Sequence, residues 1–308
     1  MVALDEAQNP NKCHYTLEEQ VLSCTELKTV SDIGRLIKTG TSVIFIRESP
    51  NLLFKRNQYS NPIYSGLKSI QILDSDNVKI EPGAFIGFIN ITYLKLIKTG
   101  LEDIFDNNFE GLSYLEDMNL SNNKIRKLSP KSFNHLGRLT KLDLSSNELQ
   151  TLPSYIFESL YNLEQLDLTI NHIKFVESNA LNGLENLKEI YLTNNSLELL
   201  NAKEFNRLGN LEVCMLDSNN IKFIKGVINL PKLKFFDIKE NQLTQIETKT
   251  FEKCSELKSL DLSGNKLKEL TEIPFLELKH LKHLNLHNNY VDISKFTVIS
   301  KAVNIVHN

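Results

Sequence analysis

Four cysteines, seven histidines and a surplus of carboxylates are the reactive side chains of this 308-residue chain, and their spacing limits what they can do. His280, His283 and His287 gather near the C-terminal end. With His283 and His287 along one strand face, the four-residue step between them spans about 13 Å. A zinc ion needs each nitrogen at about 2.0–2.1 Å, so these read as surface histidines. No G-x-x-x-x-G-K-[ST], G-x-S-x-G, H-E-x-x-H or C-x-x-C occurs. The phosphate cradle, nucleophile elbow, zinc-protease helix and thiol redox pair that those motifs build are therefore not signalled. The carboxylates accompany no nucleophile or base in a defined pocket. The chain reads as a non-enzyme that takes no cofactor and no metal.

The order in the sequence lies elsewhere. Leu67, Ile91, Leu115, Leu139, Leu163, Leu187, Leu211, Leu233, Leu257 and Leu281 each open the same phrase, L-x-x-L-x-L-x-x-N-x-L. Eight of the gaps are 24 residues and one, Leu211 to Leu233, is 22. The second and third apolar residues of each phrase, such as Leu142 and Leu144, are two apart and share one side of a strand. Asp143 between them must face outward. One repeat thus supplies one short strand to a parallel sheet, with neighbouring strands about 4.8 Å apart.

Three residues after each strand stands an asparagine: Asn123, Asn147, Asn171, Asn195, Asn219, Asn241, Asn265 and Asn289. The chain turns there and leaves backbone groups without sheet partners, which a carboxamide, both donor and acceptor, can satisfy. Ser75 and Thr99 hold this place in the first two repeats, so the ladder is expected to be weaker there. The return side carries Phe85, Phe109, Phe133, Phe157, Phe205, Phe251 and Phe275 at the nineteenth position, with Leu181 once and no equivalent in the short repeat. No repeat buries its apolar face alone; stacking supplies the core.

This pattern resembles the 24-residue "typical" class of leucine-rich repeats, with its F-x-x-L-x-x-L return, from Thr41 to about Val291. The resemblance implies an α/β solenoid: a leucine-rich-repeat horseshoe with a parallel sheet on the concave side and short turns or 3₁₀ segments on the convex side. It also implies an N-terminal cysteine cap over residues 1–40, a solenoid over 41–291 and a C-terminal tail or helical cap over 292–308. Val21-Leu22-Ser23-Cys24 is similar to part of such a cap. On that resemblance Cys13 pairs with Cys24, in a reduced version of the usual four-cysteine cap; two free thiols are the alternative. Cys214 and Cys254 fall in buried repeat positions and read as core. Ile293, Phe296, Ile299, Val303 and Val306 recur at three- to four-residue spacing and predict a weakly amphipathic helix.

Members of this class are mostly extracellular receptors, matrix proteins or secreted immune factors. The expected function is therefore a non-catalytic extracellular recognition module, a secreted protein or receptor ectodomain in innate immunity or cell-surface signalling and adhesion. The alternative is an intracellular scaffold or regulatory subunit, whose repeats usually have 22 residues and no phenylalanine spine. Residues 1–12 lack the basic and apolar regions of a signal peptide, and removal of a signal is the expectation for a secreted chain. A net charge of −3 with 24% charged residues lacks the basic excess of a nucleic-acid surface, and no apolar stretch approaches the length of a membrane helix. Three glycosylation sequons begin at Asn90, Asn119 and Asn194, of which Asn90, just before a strand, is the favoured glycan site.

The repeat register also names the outward residues. Asp117, Asp143 and Asp167 form an acidic stripe that Asp237 and Asp261 extend. Between these segments Tyr191, Val213, Met215 and Phe235 come from adjacent strands. An apolar patch rimmed by charge suits a protein partner. The expected site is this patch on the concave face, with Asp143 and Asp167 steering a basic protein ligand; homo- or hetero-oligomers are compatible with it.

Overall fold

A computed structural model describes residues 12–56, 58–59 and 61–307. The readings that fall on residues 1–11 lie outside the described residues. The chain divides into two compact units, one up to Glu148 with Ser159–Asn162, the other Leu149–Glu158 with Leu163–Asn308.

In the first unit the strands follow chain order: Cys13–Thr16, Val21–Thr25, Val43–Arg47, Ser69–Leu73, Tyr93–Ile97, Asp117–Asn119 and Lys141–Asp143. The first two form an antiparallel hairpin, with Cys13 opposite Cys24, and the rest pair in parallel. In the second unit Gln165–Asp167, Glu189–Tyr191, Val213–Met215, Phe235–Asp237, Ser259–Asp261, His283–Asn285 and Asn304–Val306 pair in parallel, again in chain order. The central residue of each of the six repeat strands from Gln165–Asp167 to His283–Asn285 is buried and its flanks look outward, as the period of two requires. The return side is turns and short 3₁₀ segments; helix among the described residues is confined to Ile33–Leu36 and Ala202–Phe205. The fold is a β-solenoid with a parallel sheet and little helix.

The asparagines do what the turn demands. Asn147 donates through Nδ2 to the carbonyls of Leu120 and Leu144, both at 3.0 Å, and accepts the Ile125 N–H at 3.0 Å. Asn219 repeats the pattern in the second unit, with Leu192, Leu216 and Leu197. At the N-terminal end hydroxyls continue the ladder. Ser75 Oγ accepts the Ser49 N–H and donates to the Leu73 carbonyl, while Ser49 Oγ accepts the Leu27 N–H. A hydroxyl has fewer contacts to give, and the strands beside it, Val43–Arg47, Ser69–Leu73 and Tyr93–Ile97, run to five residues where later ones run to three. Longer backbone pairing accompanies the shorter side chains. On the return side Phe85, Phe109 and Phe133 stack at 6.2 and 6.3 Å, and Phe251 stacks on Phe275 at 6.3 Å.

The segment expected as a terminal helix is instead two 3₁₀ turns, Ile293–Lys295 and Ile299–Lys301, followed by the Asn304–Val306 strand. That strand pairs with His283–Asn285 and covers a sheet edge whose N–H and C=O groups would otherwise stand open. Phe296 and Ile299 are buried as the spacing required, but in turns rather than a helix. Glu272 ties the segment down: its carboxylate accepts the N–H groups of Val298 and Ile299 at 2.8 and 3.1 Å. His287 lies past the end of the His283–Asn285 strand, so the two histidines do not share a strand face.

Two predictions follow from these turns. Just before each ladder asparagine the chain takes a positive φ, held by Asn194, Ser218 or Gly264 in other repeats and by Ile170 at +54° in one. Left-handed backbone costs a β-branched residue about 1 kcal/mol or more, and Ile170 is 51% exposed, with little packing to lose. Ile170→Asn should therefore raise the urea midpoint, by about 1 kcal/mol of stability. Burial draws the Glu272 carboxyl upward, but the Ile299, Val298 and Thr297 hydrogen bonds outweigh it and hold the group below its ordinary range. A lowered carboxylate contributes stability above its unfolded value and loses it as pH falls through the folded one. The Ile299 and Val298 amides should accordingly lose hydrogen-exchange protection on acidification earlier than the Asn219 side-chain ladder does, and Glu272→Gln should remove that pH dependence.

Candidate functional site

Strand register arranges the outward residues of the second unit as a grid. Glu189, Val213 and Phe235 lie in one row and Tyr191, Met215 and Asp237 in the next. Val213 and Met215 on the middle strand are thus direct or diagonal neighbours of both Tyr191 and Phe235, which flank them on the strands to either side. Phe235 is 46% exposed, and Tyr191, Val213 and Met215 are half-buried. Tyr191 is not loose: its hydroxyl donates to Glu189 Oε2 at 2.7 Å. Burial, then the Glu189 carboxylate, push the Tyr191 phenol up to about 12, so it stays protonated and donating at neutral pH.

The acidic column has structural work as well as charge. Asp167 sits beside Tyr191 in register and accepts the Thr169 N–H at 2.8 Å. Asp237 accepts the Lys239 N–H at 2.9 Å and pairs with the Lys239 ammonium at 2.8 Å. Asp261 accepts from Ser263 in the same way. Asp143, in the first unit, accepts from Ser145 N–H and from Asn119 Nδ2. Each aspartate closes the turn two residues on, an Asx arrangement. Its position is therefore set by the fold, while the negative charge still faces outward. Burial raises the Asp237 carboxyl, and the Lys239 contacts oppose the shift.

The remaining candidates are placed as follows. Cys13 and Cys24 are joined by a disulfide, with Cα atoms 4.1 Å apart. Cys214 and Cys254 are free and buried. Burial raises both thiols, Cys254 to about 11, and such thiols are unreactive. Asn90 is half-buried, with its amide donating to the Ser65 carbonyl at 2.8 Å. Asn119 is bound at both ends: to Asp143 through Nδ2, and through Oδ1 to Ser121, the hydroxyl residue of its own sequon. Asn194 is the exposed one of the three. No group of three His, Cys, Asp or Glu among the described residues could hold a metal, and no described helix is long and apolar enough to cross a membrane.

One surface went unread in the sequence. At the thirteenth position of three successive repeats, Phe175, Leu199 and Phe223 point outward on the return side. Lys79, Asp103, Lys127, Thr151, Gln245 and Glu269 hold that position in the repeats that open at Leu67, Ile91, Leu115, Leu139, Leu233 and Leu257. The change from polar to apolar at one register position was the available signal.

The same geometry is found in known proteins. No curated protein matches the sequence. Among solved structures, a chain of the octameric complex of latrophilin 3 (Lec, Olf), Unc5D (Ig, Ig2, TSP1) and FLRT2 (LRR) superposes with a TM-score of 0.72 at 18% identity, covering 97% of this chain and 92% of that one. Such a likeness speaks for the fold. The model of the family described as "Leucine rich repeat" matches residues 89–149, 137–197, 185–243 and 231–291, together well over half of the 308 residues. With the stacked strands, the asparagine ladder and the phenylalanine return, the chain belongs to the leucine-rich repeat family.

Proposed function

We propose that the chain is a non-catalytic recognition module of the extracellular kind, which binds a protein through the outward sheet face of its second unit. The observation that carries this reading is the grid of Tyr191, Val213, Met215 and Phe235, a contiguous apolar patch bordered by Asp167 and Asp237. Aromatic groups on a rigid sheet bind at little entropic cost, and truncation of such anchors costs about 2 kcal/mol or more at a protein interface. Asp167 steers a basic partner, a role that acts mainly on the rate of encounter. The structurally similar chain belongs to a complex built from latrophilin 3, Unc5D and FLRT2. The 24-residue repeats and the Cys13–Cys24 bond also favour a site outside the cell, in immune recognition or cell-surface adhesion.

Two measurements test this. Phe235→Ala and Tyr191→Ala should each weaken a partner captured by the intact chain by about thirtyfold while the circular dichroism melt is retained. Unchanged affinity in a folded variant would make the patch decoration. The mass of the chain purified from its source, with and without reductant and deglycosylation, tests the location. A gain of two protons on reduction and loss of a glycan place it outside the cell; an unmodified, fully reduced chain would place it in the cytosol.

A further inference from the structure

The 22-residue repeat leaves a cleft on the return side that the patch reading does not use. The cleft holds about 600 Å³ and lies between the Phe223–Lys225 strand and the Thr244–Glu247 stretch of the next repeat. On its inner side Phe223–Lys225 pairs with Leu199–Asn201. Its other edge is open, and the hydrogen bonds on either side show why. Ile221 is turned toward the next repeat: its carbonyl accepts the Gln242 N–H at 2.9 Å and its N–H donates to Asn241 Oδ1 at 2.9 Å. Lys222 is turned the opposite way and donates to the Glu198 carbonyl. The equivalents of Lys225 in other repeats, Glu81, Ser129 and Glu177, donate to Phe54, Ile104 and Leu152 of the repeat before. Phe223 and Lys225 thus face Leu199–Asn201 and, with directions alternating along the strand, the N–H and C=O groups of Ile224 point into the cleft. Among the described residues no backbone bond from Thr244–Glu247 reaches them.

The walls give the opening a chemistry. Phe223 is 49% exposed at the mouth, with half-buried Ile246 among the lining residues. Lys222, Lys225 and Lys266 line the cleft against a single carboxylate, Glu247. Lys222 is paired with Glu198 at 3.2 Å, but Lys225 and Lys266 have no carboxylate in salt-bridge range among the described residues. An open strand edge, an apolar wall and two uncommitted ammonium groups occur together.

We propose that this cleft is a second docking site, which takes an extended peptide segment of a partner by strand addition to Phe223–Lys225. The main-chain N–H and C=O of Ile224 supply the affinity common to any extended chain. An aliphatic side chain of the peptide packs on Phe223 and Ile246, and its acidic neighbours meet Lys225 and Lys266. The occupant is thus an acidic, aliphatic segment, opposite in charge to the basic partner expected at the sheet face.

The test uses the whole ¹⁵N-labelled chain and the synthetic peptide acetyl-Asp-Val-Glu-Ile-Glu-amide, with two controls. One control replaces each acid with lysine; the other is N-methylated at alternate amides. The acidic peptide should shift the Ile224 amide saturably, and the N-methylated peptide should not. Lys225→Glu with Lys266→Glu, both exposed and unpaired so that the fold is kept, should weaken binding about tenfold or more and favour the lysine peptide. Phe235→Ala should leave peptide binding unchanged, which separates this site from the sheet-face patch. Equal binding of acidic and lysine peptides, or shifts confined to other residues, would overturn the proposal. Self-association of the free chain that the double substitution abolishes would assign the cleft to a second copy and would overturn it too.

Discussion

The sheet strands of the asparagine-bearing repeats end in a turn that leaves main-chain groups in a dry interior, and the side chain that satisfies them sets the rest of the structure. A buried N–H left without a partner costs about 1–3 kcal/mol, and the problem recurs once per repeat. Asn147 and Asn219 each resolve it with one acceptor and two or more donated bonds that reach into the preceding repeat as well as their own. The ladder therefore sets the spacing of successive strands, and through that spacing the register of everything that faces outward. The positive φ before each asparagine belongs to the same device, because it aims the carboxamide inward.

That constraint explains which parts of the fold are legible in sequence. The leucines that flank Asp143 and the asparagines that follow are required at fixed offsets, so the strands, their outward residues and the neighbourhood of Tyr191, Val213, Met215 and Phe235 can be read by counting. The C-terminal segment could not. Its apolar spacing from Ile293 to Val306 suits a helix, but the open edge of His283–Asn285 rewards a strand, and tertiary pairing wins over a short helical period. The serine end of the ladder is a subtler case. Ser75 signals a weaker side chain, and nothing local to it announces that the neighbouring strands lengthen to five residues.

The outward aspartates show why a charged column is a poor guide to a site by itself. Asp143, Asp167, Asp237 and Asp261 each cap the turn two residues on, so a carboxylate or carboxamide is favoured there with or without a partner. Asn119 and Asn285 confirm the point, since both cap the same turn without charge. Geometry thus accounts for the residue type, and function has to be sought in what the turn does not require. Val213, Met215 and Phe235 are of that kind: no hydrogen bond or core contact of the repeat calls for an apolar group at those positions.

The same reasoning separates the two surfaces of the second unit. On the sheet face the strands that carry the patch are paired on both sides, so only side chains can recognise a partner, and binding there depends on shape and the hydrophobic contribution of a few anchors. On the return side the main-chain groups of Ile224 meet no backbone partner from the next repeat among the described residues, so a partner can be held by its backbone, with side chains selecting among sequences. The return strands pair only two by two among the described residues, so an open edge recurs along the return side; the cleft beside Phe223 differs in joining such an edge to an exposed aromatic ring and to Lys225 and Lys266. A repeat protein gains a different mode of binding in this way without changing any residue of its core.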